Sequence, residues 1–257
     1  MASTSETGHA KNVANFEDLI SFCTGYGAQY NPSNPTLALA ALNTLLTNTR
    51  ALLTALNTSR VPWINAVNAR EIAFKPLSPL VTRVINALDS TEASAQIVAD
   101  AKSISKKIQG IRSKAKENPA PLDPNNPAPD PKTISASQMS YDSRIENLEK
   151  LVKLLAAQPE YAPNETELTV ATLETLHSNL STLNSAAVNT YTTVSNARIA
   201  RNNSLYNPVT GLVDIAGSVK KYIKSVFGAS SPQYKQISGL QFRIIKDLGP
   251  ETMTGFL

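Results

Sequence analysis

Two long stretches of this chain carry apolar residues, replaced at a few positions by a polar or charged residue, at alternating spacings of three and four positions. The first stretch runs from Leu39 to Phe74, and the second runs from Leu173 to Arg198. This spacing places the repeated side chains on one face of an α-helix that packs nearly parallel or antiparallel to its neighbours. The sequence has no runs of β-branched residues with hairpin turns that would indicate strands. It therefore predicts an all-α protein organised around two long helices.

A proline lies inside the first of these stretches, at Pro62. Proline lacks a backbone N–H, and in a helix its ring clashes with the carbonyl group four residues earlier. We therefore expect the first long helix to kink or break near Arg60.

A tyrosine-proline turn precedes each long helix. The segment YNPSNPTL (Tyr30–Leu37) recurs as YAPNETEL (Tyr161–Leu168), and each copy follows a short amphipathic helix. In the first copy Asn34 can cap the long helix, with Pro35 at the first helical position. In the second copy Asn164 can cap it, with a glutamate three residues later in capping-box geometry. The residues that we assign to these turns and caps are Tyr30, Pro32, Asn34, Pro35, Tyr161, Pro163 and Asn164.

Further landmarks follow in the same order in both halves. The tripeptide Asn-Ala-Arg ends at Arg70 and again at Arg198, and a Lys-x-Ile-x-Gly-[Ile/Leu] pattern begins at Lys106 and again at Lys235. Self-similarity in a fixed order indicates a duplicated structural unit. An arginine on a helix seam must pair or extend to solvent, so we expect Arg70 and Arg198 to make buried hydrogen bonds at equivalent positions.

A proline-rich segment over residues 118–135 divides the chain, because proline this dense excludes helix and sheet. We predict a helical repeat one over residues 1–117 and a helical repeat two over residues 136–257. Each repeat has one short and two long helices. The predicted fold class is an internally duplicated, antiparallel helical bundle in which the Pro-rich connector joins two halves that pack as one elongated bundle.

Charged side chains are scarce on the predicted long helices. Between Pro35 and Val61 only Arg50 and Arg60 are charged, and residues 176–195 carry no charge. Solvated helix faces normally carry lysine and glutamate, whereas small uncharged side chains allow helices to approach closely. We expect these faces to be covered, either by the other half of the chain or by other copies of it. In a duplicated chain the second arrangement is a head-to-tail contact, which extends into a filament if it does not close.

The net charge is +4, and cationic residues concentrate near the helix ends of both halves. The helix dipole stabilises cations at a helix C-terminus, and this explains much of the pattern. The alternative is a basic face that binds nucleic acid or an anionic membrane surface. The candidate residues for such a face are Lys106, Lys107, Arg112, Lys220, Lys221 and Lys224.

No sequence pattern specifies a catalytic or cofactor site. Glu174 and His177 form a single E-x-x-H motif, whereas di-iron bundles use two such motifs. His9 lies in a polar segment and Cys23 on an apolar stripe, and with His177 they supply too few soft ligands for a zinc site. We therefore predict a protein that is not an enzyme, with no cofactor, no metal and no small-molecule substrate.

The chain has one cysteine, so an intramolecular disulfide is impossible, which fits a reducing compartment. Its first residues are polar and unlike a secretory signal, and no run reaches the roughly 18 apolar residues of a membrane span. We expect a cytoplasmic structural or scaffolding protein that associates with itself. The alternative is a helical adaptor whose basic helix ends bind nucleic acid or an anionic membrane.

Overall fold

A computed structural model describes residues 8–111 and 139–245. Within these ranges the regular structure consists of helices without strands, so the prediction of an all-α protein is confirmed. The Pro-rich connector and Arg112 lie outside the described residues. The α-helices are α1 (His9–Gly25), α2 (Leu39–Phe74), α3 (Leu77–Asp89), α4 (Ala95–Gln109), α5 (Tyr141–Ala156), α6 (Val170–Tyr206), α7 (Leu212–Phe227) and α8 (Pro232–Ser238), and 3₁₀ turns cover Gly27–Gln29, Pro35–Leu37 and Thr166–Leu168.

The chain forms two compact units that draw on both predicted repeats. Unit 1 comprises residues 1–62 and 191–257, and unit 2 comprises residues 63–190. Helices α2 and α6 each contribute residues to both units. The predicted repeats are segments of sequence, and their boundaries at residues 118–135 are not the boundaries of the compact units.

The core of unit 1 is formed by α1, the 3₁₀ turn Pro35–Leu37, α7 and α8, together with residues of α2 and α6. Helix α1 packs on α7 and α8, and α7 also packs on the 3₁₀ turn. The amphipathic stripe of α1 therefore meets helices that come more than 180 residues later in the chain. The buried side chains include Phe16, Leu19, Cys23, Leu42, Leu205, Leu212, Val219, Ile223 and Ile237.

The core of unit 2 follows the same plan with the other set of elements. Helix α5 packs on α4, α4 packs on α3, and α3 packs on the 3₁₀ turn Thr166–Leu168. The short helix and its turn thus pack on the two helices that follow α2, just as α1 and its turn pack on the two that follow α6. The buried side chains include Phe74, Leu77, Leu88, Ile108, Leu148, Leu151, Leu155, Leu173 and Leu180.

The two long helices begin in the same way but differently from the sequence expectation. Each is preceded by a 3₁₀ turn, and α2 begins at Leu39 and α6 at Val170, which are 131 positions apart (170 − 39). Asn34 accepts a hydrogen bond from the backbone N–H of Thr36 (3.0 Å), so it caps the 3₁₀ turn rather than α2 itself.

The capping box expected at Asn164 is wrong. The residue before the second 3₁₀ turn is Glu165, whose side chain makes no cap hydrogen bond, and Asn164 is exposed. Helix α6 is instead capped by Thr169, whose hydroxyl accepts the backbone N–H of Thr172 (3.4 Å). The intervening 3₁₀ turn delays the helix start, and this moves the cap from Asn164 to Thr169.

Pro62 lies in the middle of α2, which continues from Leu39 to Phe74, so of the two expected outcomes, a kink or a break, the break is wrong. Proline removes the N–H that would bond the carbonyl of Thr58. Both Pro62 and Thr58 are exposed, so water can bond that carbonyl instead.

Candidate interaction surfaces

The two tyrosine-proline turns are closed by the same hydrogen bond. The hydroxyl of Tyr30 donates to the carbonyl oxygen of Leu37 (2.7 Å), and the hydroxyl of Tyr161 donates to that of Leu168 (2.8 Å). Both tyrosines are 6% exposed. Each bond spans seven residues and fixes the turn against the core of its own unit. The tyrosines thus have a structural role in both turns.

The surroundings of the two tyrosines differ. Tyr30 meets the ring of Tyr222 edge-on, with the ring centroids 5.4 Å apart, and also lies against Cys23. Burial raises the pKa of Tyr161 to about 12, and burial followed by the proximity of Cys23 raises the pKa of Tyr30. Burial also raises the pKa of the Cys23 thiol to about 12, so Cys23 is not the thiolate that a cysteine nucleophile needs.

Arg70 lies buried in unit 2, where it makes the buried hydrogen bond expected from its seam position. It is 7% exposed, and its Nη1 donates to Oδ1 of Asn184 (3.0 Å). The guanidinium carbon lies 3.9 Å from the ring centroid of Tyr141, which is cation–π geometry. Nδ2 of Asn184 in turn donates to Oδ1 of Asp142 (2.7 Å), and Nε of Arg70 is buried without a hydrogen-bond partner.

The buried arginine of α6 in unit 1 is Arg201 rather than Arg198. Arg198 is half-buried, whereas Arg201 is 4% exposed and donates from Nε and Nη2 to Oδ1 of Asn202 (3.0 and 2.7 Å). The separation of Arg70 and Arg201 is 131 (201 − 70), the same as that of the turn tyrosines. Extending this constant separation through the long helices identifies Arg201, whereas the tripeptide Asn-Ala-Arg pointed to Arg198.

The predicted basic residues fall into two groups. Lys106 and Lys107 are exposed in the last turn of α4, and Lys221 and Lys224 are exposed on α7. Lys220 is half-buried, and its Nζ donates to the carbonyl oxygens of Ser238 (3.1 Å) and Leu240 (2.6 Å). Burial lowers the pKa of Lys220. Lys220 therefore has a structural role, and four lysines remain exposed.

A groove of unit 1 holds the chain's own extended segment, residues 240–245, against α1 and α7. Nδ2 of Asn12 donates to the carbonyl of Arg243 (2.7 Å), and Oδ1 of Asn12 accepts the backbone N–H of Arg243 (3.0 Å). Nδ2 of Asn15 donates to the carbonyl of Gln241 (2.6 Å). With Lys220, these side chains line what we call the segment groove. The sequence signal that could have revealed it is asparagine at buried positions on the apolar side of α1.

The uncharged part of α2 is exposed in unit 1. The hydroxyls of Thr44 and Thr47 donate to the carbonyls of Ala40 and Asn43 in the same helix (both 2.9 Å), so their methyl groups face outward. In unit 2, Thr175 makes the equivalent bond to Ala171 on α6 (2.9 Å). The exposed uncharged residues of α2 include Asn43, Thr44, Thr47, Asn48, Ala51, Thr54, Ala55 and Thr58. We call this set the threonine face.

The residues that suggested chemistry are dispersed. In the described ranges no group of three or more His, Cys, Asp and Glu side chains could hold a metal ion. His177 lines a cavity of about 310 Å³ in unit 2 with Asp142 and Glu149, whereas Glu174 is exposed away from the lining of that cavity. Nδ1 of His9 lies 2.7 Å from the hydroxyl of Tyr206. None of the described helices has the length and apolar character needed to cross a membrane.

No protein-family model, curated protein or solved structure shows significant similarity to this chain.

Proposed function

We propose that this chain is a cytoplasmic structural or scaffolding protein that associates with itself and is not an enzyme. The observation that carries the proposal is the threonine face: a long, exposed set of uncharged residues on α2, beside the Arg50–Glu17 ion pair. The hydroxyls of Thr44 and Thr47 are already bonded within the helix, so burying these two residues against another copy leaves no hydroxyl donor of theirs unsatisfied. Small side chains also let a second helix approach closely.

We further propose that the fold is an internally duplicated, antiparallel helical bundle. Three observations support duplication: the turn tyrosines and the starts of the long helices are each 131 positions apart, the two turns are closed by the same tyrosine bond, and each short helix with its turn packs on helices that follow the other long helix. Within unit 1 the hydroxyls of Thr49 and Ser204 are 2.7 Å apart, and within unit 2 Arg70 bonds Asn184.

Duplication makes the self-association specific. If the two halves carry related surfaces, one half of a chain can contact the other half of the next chain. Such a contact is head-to-tail, and it extends into a filament unless it closes into a ring.

The test is the solution mass of the purified chain across a concentration series, with negative-stain microscopy of whatever is large. We expect the mass to rise with concentration. Thr47→Lys places a charge in the middle of the threonine face and should lower the assembled fraction. Asn86→Lys is the matched control, because Asn86 is exposed on α3 outside that face. A mass that stays at that of one chain at high concentration would contradict self-association.

The second candidate function is a helical adaptor that uses its basic helix ends on nucleic acid or an anionic membrane. Its support is the four lysines that remain exposed, at Lys106, Lys107, Lys221 and Lys224. Binding to phosphates should weaken steeply as salt rises, because bound counterions are released. A salt titration with a nucleic acid duplex and with anionic vesicles therefore separates this function from self-association through an uncharged face.

A further inference from the structure

The segment groove recognises the main chain of its guest through side chains. Asn12, Asn15 and Lys220 make five hydrogen bonds, to the carbonyls of residues 238, 240, 241 and 243 and to the N–H of residue 243. Asn12 bonds both the N–H and the carbonyl of Arg243, as a neighbouring strand would. Recognition of an extended peptide by its main chain is a recurring mode of protein association.

The side chains of the guest alternate between the core and the solvent. Leu240 and Phe242 are half-buried and pack against the core of unit 1, whereas Gln241 and Arg243 are exposed. Nζ of Lys220 also lies 5.8 Å from the ring centroid of Phe242. The groove therefore takes a segment with apolar residues at positions 240 and 242, whereas Ile244 beyond them is exposed.

The groove requires a guest. Asn12 and Asn15 are 3% and 6% exposed; Nδ2 of each donates to a carbonyl of residues 240–245, and Nδ2 of Asn12 also lies 3.4 Å from the hydroxyl of Tyr206. Removing the segment without replacing it would leave buried amides unsatisfied or open the groove to water, and either outcome is unfavourable.

The guest can leave without disrupting a helix. Among the described residues, Leu240 is the last whose backbone N–H makes a backbone–backbone hydrogen bond, and its acceptor is the carbonyl of Ile237. The remaining bonds to residues 241–245 from outside the segment come from side chains of α1. Gly239 joins the segment to α8, and a side chain placed at Gly239 would meet nothing within 4 Å. The connection thus has room to change direction.

We propose that the segment groove takes residues 240–245 of a second copy of the chain. This inference rests on the proposed self-association and supplies a specific contact for it. A second copy makes four of the five hydrogen bonds, all but that of Lys220 to Ser238 of α8, and the same apolar contacts, so the exchange changes few bonds. The chain's own segment has an effective concentration on the order of millimolar, so exchange is favoured when copies are concentrated or already aligned.

Two full-length variants test the exchange. In Asn12→Asp/Asn15→Asp the side chains keep their shape but lose the N–H donors and place carboxylates against carbonyl oxygens. Phe242→Ser removes the main apolar anchor of the segment and keeps the groove. The Asn12→Asp/Asn15→Asp variant can donate its segment, but its groove cannot accept one. The Phe242→Ser variant can accept a segment in its groove but cannot donate its own. Asn86→Asp, exposed on α3 outside the threonine face, is the matched control for added charge.

The expected result is a complex between the two variants when they carry different fluorescent labels and are mixed. We expect energy transfer in the mixture to exceed that within either variant alone by about tenfold, since each lost buried bond weakens binding by up to about tenfold. Wild type that assembles while the mixture shows no more energy transfer than either variant alone would overturn the exchange and leave self-association standing. Wild type that remains a single chain at all concentrations would overturn both.

A peptide supplies a second measurement that does not depend on assembly. A synthetic peptide of residues 239–245 should bind the full-length Phe242→Ser variant at least about tenfold more tightly than wild type, whose groove is filled by its own segment. Equal binding to both proteins would contradict a groove that accepts a segment in trans. If Asn12→Asp/Asn15→Asp loses helical circular dichroism, Lys220→Met replaces it as the groove variant.

Discussion

Units 1 and 2 share a framework of helices and turns but differ in the polar groups that they bury. In unit 1, Asn12 and Asn15 hold an extended segment, whereas the residues 131 positions later on α5 are Ser143 and Glu146. In unit 2 the buried polar residues include Asn147 of α5, Arg70 and Asn184, and Arg70 bonds Asn184. Apolar side chains and turns are matched between the units, and the polar contacts are not. Two units can therefore share the packing of their apolar side chains while their buried polar side chains make different contacts.

The largest expected effect concerns the matched apolar residues. Leu42 and Leu173 are both fully buried and stand 131 positions apart in α2 and α6. Leu42→Ala and Leu173→Ala should each lower the free energy of unfolding by about 2–5 kcal/mol, through lost burial and the cavity left behind. Denaturant unfolding followed by circular dichroism measures both. A large loss in one variant with almost none in the other would break the equivalence of the two units.

The next effect belongs to unit 2 alone. Asn184→Ala removes the amide oxygen that accepts from the buried Arg70, and a hydrogen bond to a charged group contributes about 1.5–3 kcal/mol. The residue 131 positions earlier is Leu53, whose side chain cannot accept such a bond. Adding Arg70→Met should recover part of the loss, because the unpaired charge disappears. A double-mutant cycle measures this coupling, and strict additivity would show that the pair is not coupled.

A smaller and equal effect is expected in the two turns. Tyr30→Phe and Tyr161→Phe each remove one hydroxyl and leave the carbonyl of Leu37 or Leu168 without its donor. Each should lower the free energy of unfolding by about 0.5–1.5 kcal/mol. Losses that agree within error would sharpen the comparison between the units. A loss of stability in only one variant would mean that the two hydrogen bonds contribute differently to the free energy of unfolding.

The smallest effect appears only in alkali. Burial raises the pKa of Tyr161 to about 12, and Tyr30 is shifted in the same direction with an added contribution from Cys23. Because the folded state favours the protonated phenols, their contribution is complete below the unfolded pKa of about 10 and is lost as the pH rises through the folded pKa. Tyrosinate absorbance of wild type, Tyr30→Phe and Tyr161→Phe should show Tyr30 ionising last. The reverse order would contradict the proximity of Cys23 as a cause.

Periodicity and turn chemistry predicted the helices well. The three-and-four spacing located α2 and α6, and the tyrosine-proline segments located both turns. The break at Pro62 failed because a proline whose upstream carbonyl is exposed can remain within a long helix. The cap at Asn164 failed because a 3₁₀ turn follows it, and this turn looks like a helix start in sequence.

The partners of each helix could not be read from the sequence. An amphipathic stripe states that a face is buried but does not state which helix covers it, so α1 could have packed on α3 as readily as on α7. The segment groove joins Asn12 to Arg243 across 231 positions, and no local pattern carries that information. Arg201 could have been found from the sequence, because it stands 131 positions after Arg70, the same separation as that of the two turn tyrosines.

Unit 2 is one continuous segment of the chain, whereas unit 1 is made of two separate segments. This difference affects when each core can form during synthesis. Unit 2 is continuous, so its core can form once residue 190 has emerged. Helix α1 is made first but must wait for α7 and for residues 240–245. At roughly 5–20 residues per second, the 231 positions between Asn12 and Arg243 take roughly 10–50 s to synthesise. During that interval the apolar stripe of α1 lacks its native cover. Helix α1 therefore waits longer for its packing partners than the helices of unit 2 do. Chaperones that bind nascent chains have their longest opportunity there.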